Sequence, residues 1–236
     1  MNACLCFVHN LTSAATFIHI LKKGSCMKKL CLAAMVATVL VGCNAGDEVV
    51  EHGGIDINNM SQADLQGYAD VTADAVTVVA RAAQDCATGL AVGNTNQCDI
   101  PEFQGNIDIA VAKGSVKVER QQNEIIIHTP TAMQFTTHNA ITNGEVITLS
   151  FNSTTDDDYI MTMNDYGQIM FKGMLINTAE SNAKYWSTEA KAPFTYQYDA
   201  NTVHPYLTKG NGVITGRDNQ HFNWYADDEG HISVAR

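Results

Sequence analysis

The hydrophobic period of this chain changes once, from helical to extended, and this change constrains the fold more than any other feature. Between residues 65 and 85, apolar side chains recur on one helical face and polar side chains on the opposite face. The apolar face holds Leu65, Ala69, Thr72, Val76, Val79 and Ala83, and the polar face holds Asp70, Asp74, Thr77, Arg81 and Asp85. From Gly114 onward the period is two, which is typical of strands. The order predicts an α+β fold, with one amphipathic helix packed on an antiparallel sheet.

The helix is expected over residues 61–88, and the β-rich part over 114–236. Ser61 is a capping residue, Asp64 stands at the reciprocal third position, and Met60 can contact Leu65 across the cap. The helix is expected to end near Gly89. A β-sandwich of residues 114–236 with the helix outside it is the alternative fold.

Turn chemistry separates the expected strands. Candidate turns stand at Arg120–Asn123, at Asn143-Gly144, at Asn164–Gly167 and at Asp227–Gly230. The last two share one recipe, in which Asp or Asn opens the turn and Gly takes the left-handed position. The segment from Asn177 to Pro193 interrupts this pattern and is expected to be a short helix or a long loop. The later strands are expected at Phe194–Asp199, Val213–Thr215, His221–Ala226 and Ile232–Ala235.

An export leader precedes the predicted domain. Lys28 and Lys29 follow Met27, an apolar run reaches Leu40, and Leu40-Val41-Gly42-Cys43 completes the order. The combination resembles the leader of bacterial lipoproteins. This resemblance implies that residues 27–42 are a signal peptide removed in the mature protein and that Cys43 carries the lipid. Asn44, in place of Asp, implies sorting to the outer membrane in a Gram-negative cell.

The leader divides the rest of the chain. Residues 1–26 are either an over-called start or an extension, residues 43–59 are expected to be a polar lipidated tether, and residues 60–236 to be a single domain. Removing residues 1–42 takes away four lysines and no acid, so the net charge of −11 becomes −15. Such an acidic chain argues against nucleic acid as a partner.

Cysteine counting leaves one pair. Of the seven cysteines, only Cys43, Cys86 and Cys98 remain after the leader is removed, and Cys43 is the anchor. Because export implies an oxidising compartment, we expect a disulfide between Cys86 and Cys98 that closes a Gly/Asn-rich loop. A redox or metal pair is the alternative, but the Cys-x-x-Cys spacing and further ligands nearby are missing.

A second resemblance is one of layout. The Ala/Val-rich helix from Ala73 to Cys86, the loop to Cys98 and the strands after Gly114 resemble the soluble part of type IV pilins and pseudopilins. The likeness spans about Ser61 to Leu175 and implies a pilin-like fold and an assembly or adhesion role. The lipobox stands where a pilin has its processing site and long apolar helix, so no functional residue is carried over.

The sequence holds no recognisable catalytic, cofactor or metal motif. Asp156-Asp157-Asp158 could offer oxygen ligands to calcium, but a solvated turn is favoured. Strand alternation places Phe222 and Trp224 on a core face and His221, Asn223 and Tyr225 on the other. We expect these last three residues, together with Trp186, to be a candidate ligand-binding surface.

Four functions follow as hypotheses. The first is a non-enzymatic, lipid-anchored protein of the cell envelope that binds or helps to assemble another envelope component. The second is a carbohydrate- or peptide-binding module that uses the C-terminal aromatic residues. The third is a pilin-like assembly or adhesion subunit. The fourth is a hydrolase whose residues are brought together only by the fold. No cofactor is expected.

Overall fold

The computed structural model describes residues 53–101, 109–137, 141, 146–151, 160–177, 184–198 and 205–236. All of them belong to one compact unit. The helix α1 spans Gln62–Ala87. The described strands are β1 Thr95–Asp99, β2 Ile109–Arg120, β3 Glu124–Thr137, β4 Val146–Ser150, β5 Ile160–Asn164, β6 Gln168–Asn177, β7 Lys184–Ala192, β8 Phe194–Tyr198, β9 Pro205–Thr208, β10 Gly210–Thr215, β11 His221–Ala226 and β12 Ile232–Ala235. Two short 3₁₀ turns lie at Ile57–Asn59 and Arg217–Asn219.

The described strands form one 12-stranded sheet. Its main path runs β1-β2-β3-β4-β6-β7-β10-β11-β12, while β5 pairs with β3 and β6, and β8 joins β6 to β9. Every strand pair is antiparallel. The described part of the chain is thus mostly antiparallel sheet with one α-helix, which is compatible with an α+β or a β-rich fold.

The start of α1 is confirmed. The Ser61 hydroxyl accepts a hydrogen bond from the Asp64 backbone N–H at 3.1 Å, and the Asp64 carboxylate accepts one from the Ser61 N–H at 2.9 Å. This is the complete reciprocal capping box. Leu65 is fully buried, and Met60 packs against the same core. The helix begins where the sequence predicts because the Ser61 hydroxyl satisfies the free Asp64 N–H of the first turn and the Asp64 carboxylate satisfies the Ser61 N–H.

Three of the expected hairpins are confirmed in the described residues. β2 and β3 pair across residues 121–123, β5 pairs with β6, and β11 pairs with β12. Gly167 and Gly230 have φ values of 73° and 87°, as their turns require. Asn143-Gly144 lies outside the described residues, but β3 and β4 on either side of it pair antiparallel.

Other boundaries were wrong. The segment Asn177–Pro193 is not a helix or a loop over its described part, because Lys184–Ala192 forms β7 between β6 and β10. β2 begins at Ile109 rather than near Gly114, and β1 and β9 were not expected as strands. In β7 the small and charged residues obscure the alternation, which only the neighbouring strands on both sides impose.

The helix is buried more completely than an amphipathic surface helix. It contacts β1, β2, β3, β9 and β12. Thr77, expected on the polar face, is buried, and its hydroxyl donates to the Ala73 carbonyl at 2.7 Å. This local bond removes the cost of burying the hydroxyl, so a threonine is tolerated where the sequence pattern indicated solvent.

The predicted tether is wrong for its last residues. Ile55 and Ile57 are each only 1% exposed. The Ile55 N–H donates to the Tyr185 carbonyl at 3.0 Å, and its carbonyl accepts from the Arg217 N–H at 3.1 Å. Residues 54–57 therefore belong to the domain, because this short alternating run adds main-chain hydrogen bonds beside β7.

Two glutamines of the helix contact the backbone of β12. The Gln66 side chain donates to the Ile232 carbonyl at 2.8 Å, and the Gln62 side chain donates to the Val234 carbonyl at 3.1 Å. Donors four residues apart on a helix are separated by about 6 Å, and acceptors two residues apart on a strand by about 6.6 Å. The two spacings match, so one face of the first helical turns is aligned with the last strand.

Candidate functional site

The predicted disulfide is present at the C-terminal end of α1. Cys86 lies in the last turn of the helix and Cys98 in β1, with a Cα–Cα distance of 5.9 Å. The Asn96 side chain donates to the Cys86 carbonyl at 3.1 Å and so satisfies one of the free carbonyls of the helix end. The bond and this cap fix the end of the helix to the first strand of the sheet.

A pocket of about 230 Å³ lies along the same end of the helix. Its described lining comes from α1, from the residues that follow β1, and from the ends of β8 and β9. The apolar members are Val78, Ala82, Ile100, Pro101 and Pro205, and the polar members are Arg81, Asp85 and Tyr198. A concave, mostly apolar surface with a few polar groups at one place is the usual form of a small-ligand site.

Arg81 organises the polar part of this pocket. Its guanidinium carbon lies 3.9 Å from the centre of the Tyr198 ring, and its Nε donates to Asp85 Oδ2 at 2.9 Å. Partial burial disfavours its charge, but the hydrogen bond and the negative charge of Asp85 hold the pKa of Arg81 above its usual range. The pocket therefore keeps a fixed cation, oriented by an aromatic ring on one side and a carboxylate on the other.

Tyr196 lies close to Arg81, although it is not among the residues that line the pocket. Its side chain is only 6% exposed, and its hydroxyl makes no hydrogen bond of normal geometry within the described part of the chain. Burial raises the pKa of Tyr196 to about 12, while the charge of Arg81 acts in the opposite direction and the charge of Asp85 adds to it. The hydroxyl is thus a neutral donor beside Arg81, Asp85 and Tyr198.

A second depression, of about 210 Å³, lies between the last turns of α1 and the β5–β6 turn. It contains an ion pair of the same kind, Arg120 Nη2 to Asp165 Oδ1 at 2.7 Å. The side-chain exposure of Arg120, 27%, is close to the 29% of Arg81. No aromatic ring of the described residues lies over Arg120, so this pair supplies a matched reference for Arg81.

The structure divides the predicted surface on β11. His221 and Tyr225 are exposed and Asn223 is half-buried on one face, while Phe222 and Trp224 are fully buried on the other, as predicted. Trp186 does not join the exposed face. It is 2% exposed, its Nε1 donates to Thr72 Oγ1 at 3.1 Å, and its ring meets Tyr68 edge to face at 5.0 Å. The assignment of Trp186 to a ligand surface is wrong because its indole packs against the helix.

The β11–β12 turn gathers three groups that can bind cations. Ligand atoms of Asp227, Glu229 and His231 lie within 4.8 Å of one another, and all three residues are exposed. Asp227 already accepts from the His231 and Glu229 N–H groups, and these bonds hold its pKa below the usual range. These hydrogen bonds to Asp227 stabilise the backbone of the turn. Cys43 and Asp156–Asp158 lie outside the described residues.

The comparisons with known proteins give no relative for this chain. No family model matches it, and neither a curated protein nor a solved structure is similar to it. Among the described residues, no helix combines the length and the apolarity that a bilayer span requires.

Sequence reasoning missed the pocket. Arg81 and Asp85 were visible as an i, i+4 pair, which is typical of a solvated helix face. Tyr196 and Tyr198 lie more than 100 positions further along the chain, and only the packing of β8 on α1 brings them to Arg81. Phe194, Tyr196 and Tyr198 recur at every second position of one short strand, and the single available signal was that these three aromatics share one face.

Proposed function

We propose that this chain is a non-enzymatic, lipid-anchored protein of the cell envelope that acts by binding, through the pocket around Arg81. We assign its domain to the α+β class, with the helix packed against the sheet. The anchor is Cys43, and the outer membrane is the favoured location. The expected ligand or partner is a component of the cell envelope and not a nucleic acid.

The location is supported by two independent features. The leader that ends at Cys43 is of the lipoprotein kind, and several acyl chains meet the requirement of two signals for stable anchoring. The Cys86–Cys98 disulfide suits an oxidising compartment, as an exported protein has. Neither feature depends on the other, because the disulfide forms between residues well after the leader.

The pocket is the observation that supports binding. Arg81 and Asp85 are paired with each other, and the described lining holds no serine, cysteine or histidine that could act as a nucleophile or base. What the lining offers is apolar surface with an oriented cation, which suits the recognition of a ligand.

Site-specific crosslinking in intact envelopes tests this proposal. A photoreactive phenylalanine derivative replaces Tyr198, which lines the pocket, or Tyr166, which is 86% exposed in the β5–β6 turn. We expect a crosslinked product from position 198 that is absent from position 166. Identical products from both positions, or none from either, would contradict binding at the pocket.

The anchor is tested separately with Cys43→Ser. We expect the variant to lose incorporation of labelled fatty acid and to leave the membrane fraction. If it stays with membranes to the same extent as the unchanged protein, the lipid anchor is not what holds it there. The Tyr198 crosslink of the variant then shows whether binding requires the membrane.

The exposed face of β11 supports a second candidate, a carbohydrate- or peptide-binding module. The observation in its favour is that His221, Asn223 and Tyr225 lie on one exposed face of a regular strand. We expect Tyr225→Ala to abolish retention on immobilised glycan or peptide, with Tyr166→Ala as the control. Equal retention of both variants would remove this candidate.

A further inference from the structure

The disulfide joins the two walls of the pocket close to the residues that line them. On the helix wall, the lining residue Asp85 is followed directly by Cys86. On the opposite wall, the lining residue Ile100 stands two positions after Cys98. Because the Cα atoms of the two cysteines are 5.9 Å apart, the bond sets the separation of the walls at this end of the pocket.

Few other contacts hold the wall that contains Ile100. Every residue from 91 to 97 is exposed, and within β1 only Cys98 is partly buried. β1 ends the main path of the described sheet, and among the described strands it pairs only with β2. Segments with few buried apolar contacts open at a lower free energy than the core. When the disulfide is absent, β1 therefore depends chiefly on its hydrogen bonds to β2 and on the buried side chain of Ile100.

One polar contact also links β1 to the helix end. The Asn96 side-chain amide donates to the Cys86 carbonyl at 3.1 Å and to Cys98 Sγ at 3.6 Å. Since Asn96 belongs to β1, displacement of the strand would remove this cap from the last turn of the helix. Loss of the disulfide would thus act on both walls of the pocket at once.

The two sulfur atoms belong to residues with different access to solvent. Cys86 is 4% exposed, whereas Cys98, on the end strand of the described sheet, is only partly buried. Exchange of a disulfide begins with attack of a thiolate on one of its sulfur atoms, and access helps to decide which sulfur is attacked. Cys98 Sγ is therefore the sulfur that an incoming thiolate reaches.

We propose that the Cys86–Cys98 disulfide is a redox switch of the pocket: the oxidised protein binds, and reduction by a dithiol of the Cys-x-x-Cys class abolishes binding. One thiolate of the dithiol attacks Cys98 Sγ, the bond between the two protein sulfurs breaks, and Cys86 Sγ takes its electron pair and a proton. The second thiol of the dithiol then displaces Cys98, which also takes up a proton, and the dithiol becomes a disulfide. This inference gives the regulation of the binding function proposed above and rests on it.

Methyl NMR of the full mature chain in phospholipid nanodiscs tests the opening of the wall without a ligand. A water-soluble gadolinium chelate raises the relaxation rate of methyl groups that are exposed to solvent. On reduction with dithiothreitol we expect the rate at Ile100, which is 5% exposed in the oxidised protein, to rise at least ~3-fold. Ile214 in β10 is fully buried and is expected to stay unchanged. A disulfide that contributes only to global stability would leave both rates unchanged, because the native fold would persist.

The effect on binding is measured with the photoreactive derivative in place of Tyr198. We expect the crosslinked product to fall at least ~10-fold after reduction and in the Cys86→Ala/Cys98→Ala variant, because few molecules keep the binding-competent pocket. Oxidised glutathione should restore the product only in the chain that keeps both cysteines, and dithiothreitol should not change the double variant. Asn96→Ala is the control that removes the cap but keeps the disulfide, and it is expected to retain the crosslink.

The switch is overturned if reduction leaves the exposure of Ile100 unchanged, or if oxidised and reduced proteins crosslink equally at position 198. In the second case the pocket binds in both states, so the binding function stands and only its redox control fails. Absence of the crosslink from the oxidised protein instead overturns binding at the pocket, and the switch with it.

Discussion

The two ends of α1 are held to the rest of the domain by different kinds of interaction. At and just before the N-terminal end, polar contacts add to the apolar packing: the Ser61–Asp64 capping box, the Asp56–Arg217 ion pair, and the hydrogen bond that the Asn58 N–H donates to Gln220 Oε1. At the C-terminal end the Cys86–Cys98 disulfide adds a covalent link to the Asn96 cap, and mostly apolar walls leave an open pocket. The helix is 26 residues long, so about 39 Å separates the two ends.

This difference shows how a site can coexist with a well-packed core. Where backbone and side chains approach closely, no space remains for a ligand: a Cβ added at Gly216 would lie 2.2 Å from the Ile55 carbonyl oxygen. A covalent bond needs few neighbours to hold a helix end, so the surrounding residues can leave a cavity. The disulfide fixes the C-terminal end of the helix to β1, and the pocket beside it stays open.

The largest effect is expected from removing that bond. Cys86→Ala combined with Cys98→Ala should lower the free energy of unfolding by about 3 kcal/mol, because the short loop gains conformational freedom in the unfolded state. Urea denaturation of the oxidised protein measures the loss. Dithiothreitol should shift the unchanged protein to the same midpoint and leave the double variant unaffected. If dithiothreitol leaves the urea midpoint of the unchanged protein where it was, the prediction is contradicted.

Close packing at the N-terminal end is tested by Gly216→Ala. We expect a loss of about 2 kcal/mol in unfolding free energy, because the added methyl group collides with the main chain of Ile55. Gly89→Ala at the other end is the comparison, since a Cβ there meets no atom within 4 Å. Its cost of about 1 kcal/mol comes from φ alone, which is +75°. Equal urea midpoints for the two variants would remove the distinction between the ends.

The capping box should contribute less. Ser61→Ala is expected to cost about 1 kcal/mol in unfolding free energy, because the Asp64 N–H loses its acceptor. Urea denaturation measures this against Ser233→Ala, an exposed serine of β12 expected to change stability by less than about 0.5 kcal/mol. A Ser61→Ala midpoint as close to the unchanged protein as that of Ser233→Ala would show that the cap is not needed.

The smallest effect concerns pH and has opposite signs at two carboxylates of α1. Hydrogen bonds from Ser61 hold the pKa of Asp64 below its ordinary value of 3.8, so its contribution is present above that value and is lost as pH falls through the folded pKa. Asp64→Asn should therefore destabilise at neutral pH and approach the unchanged protein in acid. Urea midpoints between about pH 7 and about pH 2 measure the difference.

Asp70 supplies the opposite case. Burial raises its pKa despite the hydrogen bond from Gln66, so its ionised form costs stability once pH exceeds the folded pKa. Asp70→Asn should be more stable than the unchanged protein at neutral pH, and the gain should disappear in acid. Midpoints of both variants that move in the same direction with pH would contradict the assignment.

Local patterns predicted the elements that depend on neighbouring residues. The capping box follows from residues within four positions, and the glycines of the β5–β6 and β11–β12 turns follow from their own backbone angles. The disulfide was predicted from the number of cysteines that remain once the leader is removed. The features that the sequence did not reveal depend on residues far apart in the chain. β7 forms because it pairs with β6 and β10. Thr77 and Trp186 are buried because the helix packs on the sheet, and the pocket forms because β8 lies beside Arg81.

The two glutamines that donate to β12 also protect the edge of the described sheet. β12 ends the main path of the described sheet, and the last strand of a sheet invites pairing with another molecule. Gln62 and Gln66 already occupy the carbonyls of Val234 and Ile232. An incoming strand would have to displace both amides, so this edge of the described sheet is protected from pairing with a strand of another molecule.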